Sequence, residues 1–540
     1  MNSITFNITN NAWINNGLVR LILELENNFP DEVTIDRKGN VIELTSEEDI
    51  LNYLNQVINY LAAFGTYNYS QIFKSINKHL DLSFIPPSNY PKENSDTKKK
   101  MEISKEIRDE LKNYDNRVVN AKEQIWKMRM SYINKPNKYF EIGLNFESSD
   151  LYNKLASNES KSNICPCCGI ASKNMMDILQ SINPLINEHH NNEEDGFSTN
   201  IRKKNKFCPN CIFLSFISVF DKYIPFYRND NDKIILALPN VYELSILEKI
   251  ATNLSLTSQF IDFADSNVIK YNTNIKNFTN NISNSAALLS LLHNIQNNFS
   301  RNIAEEIDFN SLFQVLSQEE LMEIADWIFI TKDSFSIERI SANNNVYKIL
   351  EYQLDSNGNK IFLVNDFFNK INFKGFSPYQ VDKFFKSFLE LNCDGISISL
   401  FEMLKSDISF YNGNYSIYLF KEKFLNQIMG EITMLDENFK NACRSIAGTI
   451  GQAFFTDIGL LSKFAYATDE QVFKEYMEEA FFLLAKKSAL TSQTYYSNGK
   501  ELEIFFDGLN KENFRETKSY FVSFMSSNAL YEKFKRNGDD

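Results

Sequence analysis

The sequence predicts a multidomain α+β protein: mixed N-terminal and middle regions, an inserted cysteine knuckle and an all-α C-terminal helical bundle. Three observations carry this. The chain has 540 residues with 43% apolar content, enough for several separate cores. Five of its seven cysteines fall between Ile164 and Cys211. Short β-type runs bounded by turn residues stop near Ser377, and apolar residues then recur at helical spacing to the end. The expected divisions are 1–160, an α+β region with a basic helical arm; 161–230, the cysteine segment; 231–376, a second α+β region; and 377–540, the bundle.

The N-terminal region opens with a helix carrying Leu18, Leu21 and Leu23, capped by Asn10 or Asn11. Gly17 within it lets another backbone approach closely. Val33 to Asp36 and Val41 to Leu44 read as strands, with a hairpin turn between Asp36 and Asn40. From Ser46 the pattern turns helical, through Ile50, Leu51, Leu54, Val57, Ile58 and Leu61.

Between Lys98 and Lys138 the charge reverses: twelve Lys and Arg face six Asp and Glu, in a chain whose net charge is −13. Lys98, Lys99 and Lys100 lead into a helix that reaches Lys127 and Arg129, with Trp126, Tyr132 and Tyr139 interleaved. Such a stretch can track a phosphate backbone and offer rings to bases. It reads equally as a solvated helix whose Glu102, Glu106 and Glu110 make i,i+4 pairs. The acidic total counts against a nucleic-acid binder, but a local basic stripe still binds phosphate.

The cysteine segment opens with Cys165-Pro166-Cys167-Cys168-Gly169 and closes with Cys208-Pro209-Asn210-Cys211. Each C-x-x-C pair, Cys165/Cys168 and Cys208/Cys211, sits on one tight turn, so both sulfurs can face a single ion. Four thiolates make a closed tetrahedral zinc site with no open position, and its role is structural. The segment is therefore zinc-ribbon-like, with Zn2+ expected on Cys165, Cys168, Cys208 and Cys211. Buried or redox cysteines are the competing reading, but no thioredoxin-like βαβ pattern surrounds them. Cys167 is the spare thiol, and His189 and His190 are fallback ligands. Arg202, Lys203, Lys204 and Lys206 precede Cys208 and can contact phosphate, or form a solvated loop. The apolar run from Ile212 to Phe220 should pack the knuckle onto the main body.

Beyond it, Ile234 to Leu238, Ile328 to Ile330, Val346 to Leu350 and Lys360 to Val364 read as strands, the last two joined by a turn at Asn357 and Gly358. Ser285 to Ile295 reads as a helix. In the bundle, Phe384, Phe385 and Phe388, then Phe424, Ile428 and Ile432, then Phe473, Met477, Ala480 and Leu484 keep helical spacing, and their aromatic stripe should be core.

Motifs for catalysis are missing. The four histidines form no H-E-x-x-H frame, and there is no Walker A loop, nucleophile elbow or dinucleotide fingerprint. The Asp539-Asp540 pair resembles a polymerase motif only superficially, being outside any hairpin. No enzyme activity and no catalytic residue is expected. The start has no secretion signal, and no apolar run reaches about 20 residues, so the chain is expected to be cytoplasmic and off the membrane.

The stretch Asn10-Asn11-Ala12-Trp13-Ile14-Asn15-Asn16-Gly17-Leu18, the split Cys165/Cys168 and Cys208/Cys211 pairs and the helical end together resemble the CXXC–CXXC family of CRISPR-associated proteins. This family is the large, Cas-eight type, subunit of the type I-B Cascade complex. The extra Cys167 departs from its plain motif. The resemblance implies a non-catalytic subunit of an RNA-guided antiviral defence complex. Its partners would be the crRNA-bearing backbone subunits, target duplex DNA with its displaced strand, and a recruited helicase-nuclease. It would read the protospacer-adjacent motif and help form the R-loop. Asn10, Asn11 and Asn15 are conceivable base readers. Lys98, Lys99, Lys100, Lys127, Arg129, Arg202, Lys203, Lys204 and Lys206 are the candidate nucleic-acid contacts. The alternative is a stand-alone zinc-ribbon scaffold that binds proteins only. Related large subunits can release a small subunit from an internal start, for which Met403, Met429 and Met434 are candidates. A fragment from Ser377 is then expected to fold alone and to bind single strands through Lys486, Lys487, Lys533, Lys535 and Arg536.

Overall fold

In a computed structural model of the chain, the described residues are 2–61, 146–157, 163–178, 183, 185, 206–220, 226–228, 234–256, 283–304, 320, 324, 326–331, 336–373, 375–406, 408–491 and 499–537. They form two compact units. One comprises Met1–Lys270, Glu305–Glu320 and Asp326–Ile340; the other comprises Tyr271–Ala304, Leu321–Ala325 and Ser341–Asp540. The expected α+β class with a helical C-terminal bundle is the class observed. No described helix is long and apolar enough to cross a membrane.

The first unit begins with β1 (Ser3–Asn7), α1 (Ala12–Asn28), β2 (Val33–Lys38) and β3 (Val41–Ser46). The three strands pair antiparallel in the order β1-β3-β2. Ile4 lies opposite Leu44 and Phe6 opposite Ile42, so period-two alternation buries these four on one face. The turn is tighter than expected. Asp36 and Lys38 belong to β2, and Gly39, at a φ of 61°, makes the reversal with Asn40. Asn11, rather than Asn10, caps α1 by accepting from the Ile14 amide. A second helix, α2, runs over 50–61.

The unit continues with α3 (Asp150–Ala156), four short strands β4 (Asn163–Ile164), β5 (Ala171–Ser172), β6 (Met176–Asp177) and β7 (Lys206–Phe207), and then α4 (Pro209–Phe220). The strands β8 (Phe226–Arg228), β9 (Ile234–Pro239), β10 (Asp326–Thr331) and β11 (Ser336–Ser341) form a four-stranded sheet in the order β11-β10-β9-β8, with α5 (Leu244–Leu256) after β9. The main packing event is α1 against α4. Trp13 and Gly17 meet Ser215, Leu214 and Ser218 there, and Ile14, Leu18, Leu21 and Ile22 of α1 and Phe213, Leu214 and Ile217 of α4 are all essentially buried. Each such side chain contributes about 1.5–3 kcal/mol of burial free energy.

The second unit holds α6 (Asn284–Ala304), α7 (Val346–Leu350), the hairpin β12 (Gln353–Leu354) and β13 (Lys360–Ile361), α8 (Leu363–Asp366), β14 (Ile371–Asn372), α9 (Pro378–Leu389), α10 (Cys393–Lys405) and β15 (Ser409–Phe410). Then come α11 (Gly413–Leu419), a π-helical stretch (Phe420–Leu425), α12 (Asn426–Ile432), α13 (Glu437–Phe454), α14 (Ile458–Ala465), α15 (Glu470–Thr491), α16 (Gly499–Gly508) and α17 (Phe514–Asn537). α17 is the centre of the bundle, packed by α10 and α13. Its Phe521, Val522, Phe524, Met525, Ala529 and Leu530 are buried, and so are Ser519, Ser523, Ser526 and Ser527. A helix buried around its whole circumference has no solvent stripe, and its small serines let neighbouring backbones come close.

Several sequence expectations change here. Val346 to Leu350 is a helix, not a strand. Val346, Tyr347, Ile349 and Leu350 are buried, a 3.6-period pattern that β-branched content disguised. Only Lys360 and Ile361 of the next expected strand pair as strand. Asp366 accepts from the Phe362 amide at 2.6 Å and starts a helix there. The turn at Asn357 and Gly358 is as expected, with Asp355 accepting from the amides of Asn357 and Asn359. Ser377 caps α9 with a reciprocal Gln380 bond, yet it lies inside the second unit rather than at its start. The region after it is not wholly helical, because β15 pairs back to β14. The aromatic stripe is core as expected: Phe464, Phe473, Phe505 and Phe521 form one cluster, and Phe367, Phe368, Phe373, Phe384, Phe385 and Phe388 another.

Candidate metal centre

The first C-x-x-C pair lies at the turn of a two-stranded knuckle. β4 and β5 pair through Ile164 and Ala171, and the turn between them carries Cys165 to Cys168. Gly169 makes the reversal possible at a φ of 73°, a conformation that costs other residues about 1–2 kcal/mol. The Gly169 amide donates to the Cys165 carbonyl at 3.0 Å and the Cys165 amide to the Ile170 carbonyl at 2.8 Å. The second pair lies at a helix start. Cys208 precedes α4, Pro209 takes its first position, and Cys211 follows in the first turn. The unpaired amides and dipole of that terminus favour negative charge on both sulfurs.

The fold brings the two pairs together. The sulfurs of Cys165, Cys168, Cys208 and Cys211 all lie within 4.8 Å of one another, and all four residues are buried. Cys165 and Cys211 Sγ are 3.9 Å apart, Cys168 and Cys208 Sγ 3.5 Å. A tetrahedron of sulfurs bonded to zinc at about 2.3 Å has edges of about 3.8 Å. A disulfide needs about 2.05 Å, so these are four thiols around a centre rather than two bridges. The Cys208 amide reaches Cys165 Sγ at 3.4 Å, a bond that further stabilises a thiolate there. This group can hold a metal ion, and its dimensions and donor set fit zinc.

Without a cation the four sulfurs compete for charge. Cys165 is held far below the usual thiol range by hydrogen bonds from Cys168, Cys208 and Cys211. Cys208 and Cys211 are pushed far above it, first by Cys165. A divalent ion removes that competition by neutralising the cluster.

The centre is tied to β1 and α1 by side chains that the sequence did not single out. Asn7 Nδ2 donates to the Cys168 carbonyl at 2.9 Å, and Asn210 Nδ2 to the Thr5 carbonyl at 2.7 Å. Trp13 Nε1 donates to the Ser215 carbonyl at 3.2 Å, while Ser215 Oγ donates to the Cys211 carbonyl at 2.8 Å. Phe6 and Phe146 pack on Phe213. The only local signal for any of these was Asn210, whose place inside a C-x-x-C fixes it near the sulfurs. Apart from the local Ser215–Cys211 bond, the rest depend on pairing between distant parts of the chain, 161 residues apart for Asn7 and Cys168 and 202 for Trp13 and Ser215.

The other expected residues divide. Cys167 is half-buried and outside the four-sulfur group. Asn11 and Asn15 are not available as base readers: they are 2% and 1% exposed. Asn11 is the α1 cap, and Asn15 accepts from the Thr9 amide at 2.8 Å while donating to its carbonyl. Asn10 is exposed. Lys206 is exposed on β7, opposite Asp177. Lys98, Lys99, Lys100, Lys127, Arg129, Arg202, Lys203 and Lys204 lie outside the described residues, as do His189 and His190. In the bundle, Lys533 Nζ donates to the carbonyls of Leu404 and Ser406 at the end of α10, and Lys487 donates to the Ala453 carbonyl. These two cations, among the expected single-strand contacts, close helix ends. Met403 and Met429 are core residues, and Met434 is exposed.

Comparison with protein-family models, curated proteins and solved structures finds no match to this chain.

Proposed function

We propose that the chain is a non-catalytic, DNA-engaging large subunit of a type I-B Cascade complex, built around one structural zinc held by Cys165, Cys168, Cys208 and Cys211. One observation carries this reading. The two sequence features that resemble the CXXC–CXXC family are a single physical unit: Trp13 and Gly17 of the opening segment sit against α4, the helix that begins with the second cysteine pair, and Asn183 bridges Asn11 to Ser215 on it. A closed four-sulfur centre braces such a platform and offers no site for chemistry. Base pairing to a crRNA would read the target sequence, and this subunit would contact the flanking duplex and its backbone. Its partners would be the crRNA-bearing backbone subunits and the helicase-nuclease, in the cytoplasm. The basic residues from Lys98 to Arg129 and from Arg202 to Lys206 would supply phosphate contacts.

The test is reconstitution. The tagged chain should co-purify with crRNA-bearing backbone subunits and give the assembly motif-dependent duplex binding. Replacing Lys203, Lys204 and Lys206 with Ala should weaken that binding for all sequences alike and reduce the salt slope by about 0.9 per lost phosphate contact. A zinc-loaded chain that neither joins such an assembly nor affects its duplex binding would instead be a stand-alone zinc-ribbon scaffold.

A further inference from the structure

Helix α15 is covered by its bundle on one side only. Phe473, Met477, Ala480 and Leu484 are buried, and Phe473 packs on Phe464, Phe505 and Phe521. The run Ala480-Phe481-Phe482-Leu483-Leu484-Ala485 is apolar around the whole helix, a composition that suits a helix enclosed on every side. Of these six only Ala480 and Leu484 are buried, while Phe482 is 73% exposed and Ala485 is exposed. A single exposed ring is ordinary, but this one belongs to a row. Gln471, Glu475, Glu478, Phe482, Ala485 and Ala489 are all exposed, and they follow one another at steps of four, three, four, three and four residues. That alternation is a 3.5-residue repeat. It draws a seam about 27 Å long, with the spacing by which one helix lies along another.

The charges on the seam select its occupant. Its N-terminal half is acidic, with Glu475 and Glu478 on it and Glu479 beside it, and its C-terminal half carries Lys486 next to Ala485. Among the described residues Glu475, Glu478 and Lys486 have no ion-pair partner, whereas Glu479 is paired with Lys463 at 2.6 Å. The acidic half disfavours phosphate, so the seam does not suit a nucleic acid. A face that is acidic at one end and basic at the other complements itself when turned end for end. Laid antiparallel about a two-fold axis between Phe482 and Ala485, two copies of α15 set each Phe482 against the other's Ala485, a large side chain on a small one. Each Lys486 then comes alongside the other copy's Glu478 and Glu479. A parallel pairing would instead set Glu475 and Glu478 against their own copies, which like charge opposes.

The geometry points to a second copy of this chain as the occupant: the outer face of α15 is an antiparallel self-association surface centred on Phe482. It adds an interface to the second unit and does not depend on the subunit role proposed above.

The experiment is sedimentation velocity on the full chain over a range of protein and salt concentrations. Wild type should pass from monomer to dimer as its concentration rises, and added salt should weaken the dimer. Phe482→Glu should remain monomeric throughout. Lys486→Glu, and the double variant Glu475→Lys/Glu478→Lys, should each raise the dissociation constant by about tenfold or more, because like charges then meet at both symmetry-related contacts. Mixing these two charge variants should restore association, since opposite charges meet again. All of the altered side chains are exposed, so each variant should melt as wild type does. If Phe482→Glu fails to fold, the mixing experiment decides. A wild type that is monomeric at every concentration, an unchanged dimer in folded Phe482→Glu, or charge variants that stay apart on mixing each overturns the proposal. So does a monomeric wild type from which Phe482→Glu strips a different, co-purifying protein, because the face then belongs to that protein.

Discussion

The Leu214 carbonyl oxygen occupies the space where a side chain on Gly17 would begin. A Cβ built on Gly17 overlaps that carbonyl and comes within 2.9 Å of Ser218 Oγ. The neighbour is helix backbone, which cannot turn aside as a side chain can. The α1–α4 crossing therefore depends on the missing methylene. α4 also carries Cys211 three residues before Leu214, so the crossing sets where two of the four sulfurs lie.

Gly17→Ala is expected to separate the helices and destabilise the first unit by about 1–3 kcal/mol, the usual range for overpacking. It should also lower metal retention, because Cys208 and Cys211 move with the helix. Thermal unfolding with and without chelator, together with elemental analysis, checks both effects. An Ala variant that melts and retains metal like wild type would show that the crossing relaxes without cost.

Freshly purified, reduced protein should contain one zinc per chain. Replacing Cys165, Cys168, Cys208 or Cys211 with Ser should remove it and reduce folding yield, since metal binding and local folding are coupled. Cys167→Ser should keep full stoichiometry, as Cys167 lies outside the group. Absence of zinc from wild type, or its loss from the Cys167 variant, contradicts the assignment.

His293 predicts an acid-sensitive second unit. It is fully buried in α6 with its ring edge-on to Phe362, and burial pulls its pKa down to about 3 from 6.5, against a raising hydrogen bond to the Leu350 backbone. The unfolded chain takes the proton more readily than the folded one. Its contribution is therefore intact above about pH 6.5 and is lost progressively as pH falls toward 3, by up to ~1.4 kcal/mol per pH unit. Denaturant midpoints between pH 6.5 and 5, ahead of most carboxylates, should fall with pH in wild type. They should be flatter in His293→Gln, compared with its own value at neutral pH. Equal slopes would mean that the folded histidine takes up the proton as readily as the unfolded one.

The bundle boundary is testable by truncation. A chain starting at Ser377 keeps Phe384, Phe385 and Phe388 but loses Phe368 and Phe373, which pack on them. It also loses the Asn343 amide that donates to the Leu389 carbonyl, and the β14 partner of β15. The expectation of a cooperatively folded fragment from Ser377 gives way to one of exposed rings and aggregation. A fragment starting at Ser341 restores these groups and should melt at a higher temperature or more sharply by circular dichroism. Identical melting of the two fragments would put the boundary back at Ser377.

What the sequence determined by itself is what short-range physics encodes. The C-x-x-C spacing marked four of five cysteines in the segment, because two thiols on one turn can share an ion. Gly39 and Gly358 marked hairpins, and Gly17 a close approach. The 3.6-residue recurrence of Phe473, Met477, Ala480 and Leu484 marked a core helix. Tertiary structure decided everything that depends on which surfaces meet. It joined the opening segment to the second cysteine pair through Trp13 and Ser215, and turned Asn11 and Asn15 inward to hold a helix start. It made 346–350 a helix by burying it on two adjacent turns, and used Lys487 and Lys533 to close helix ends. It also left Tyr411, Tyr415 and Tyr418 facing solvent while similar rings nearby were buried. An amide, an ammonium or a phenol is the same group in a loop, a core or a surface. Only the distant chain packed beside it fixes whether its bonds are spent on the fold or left for a partner.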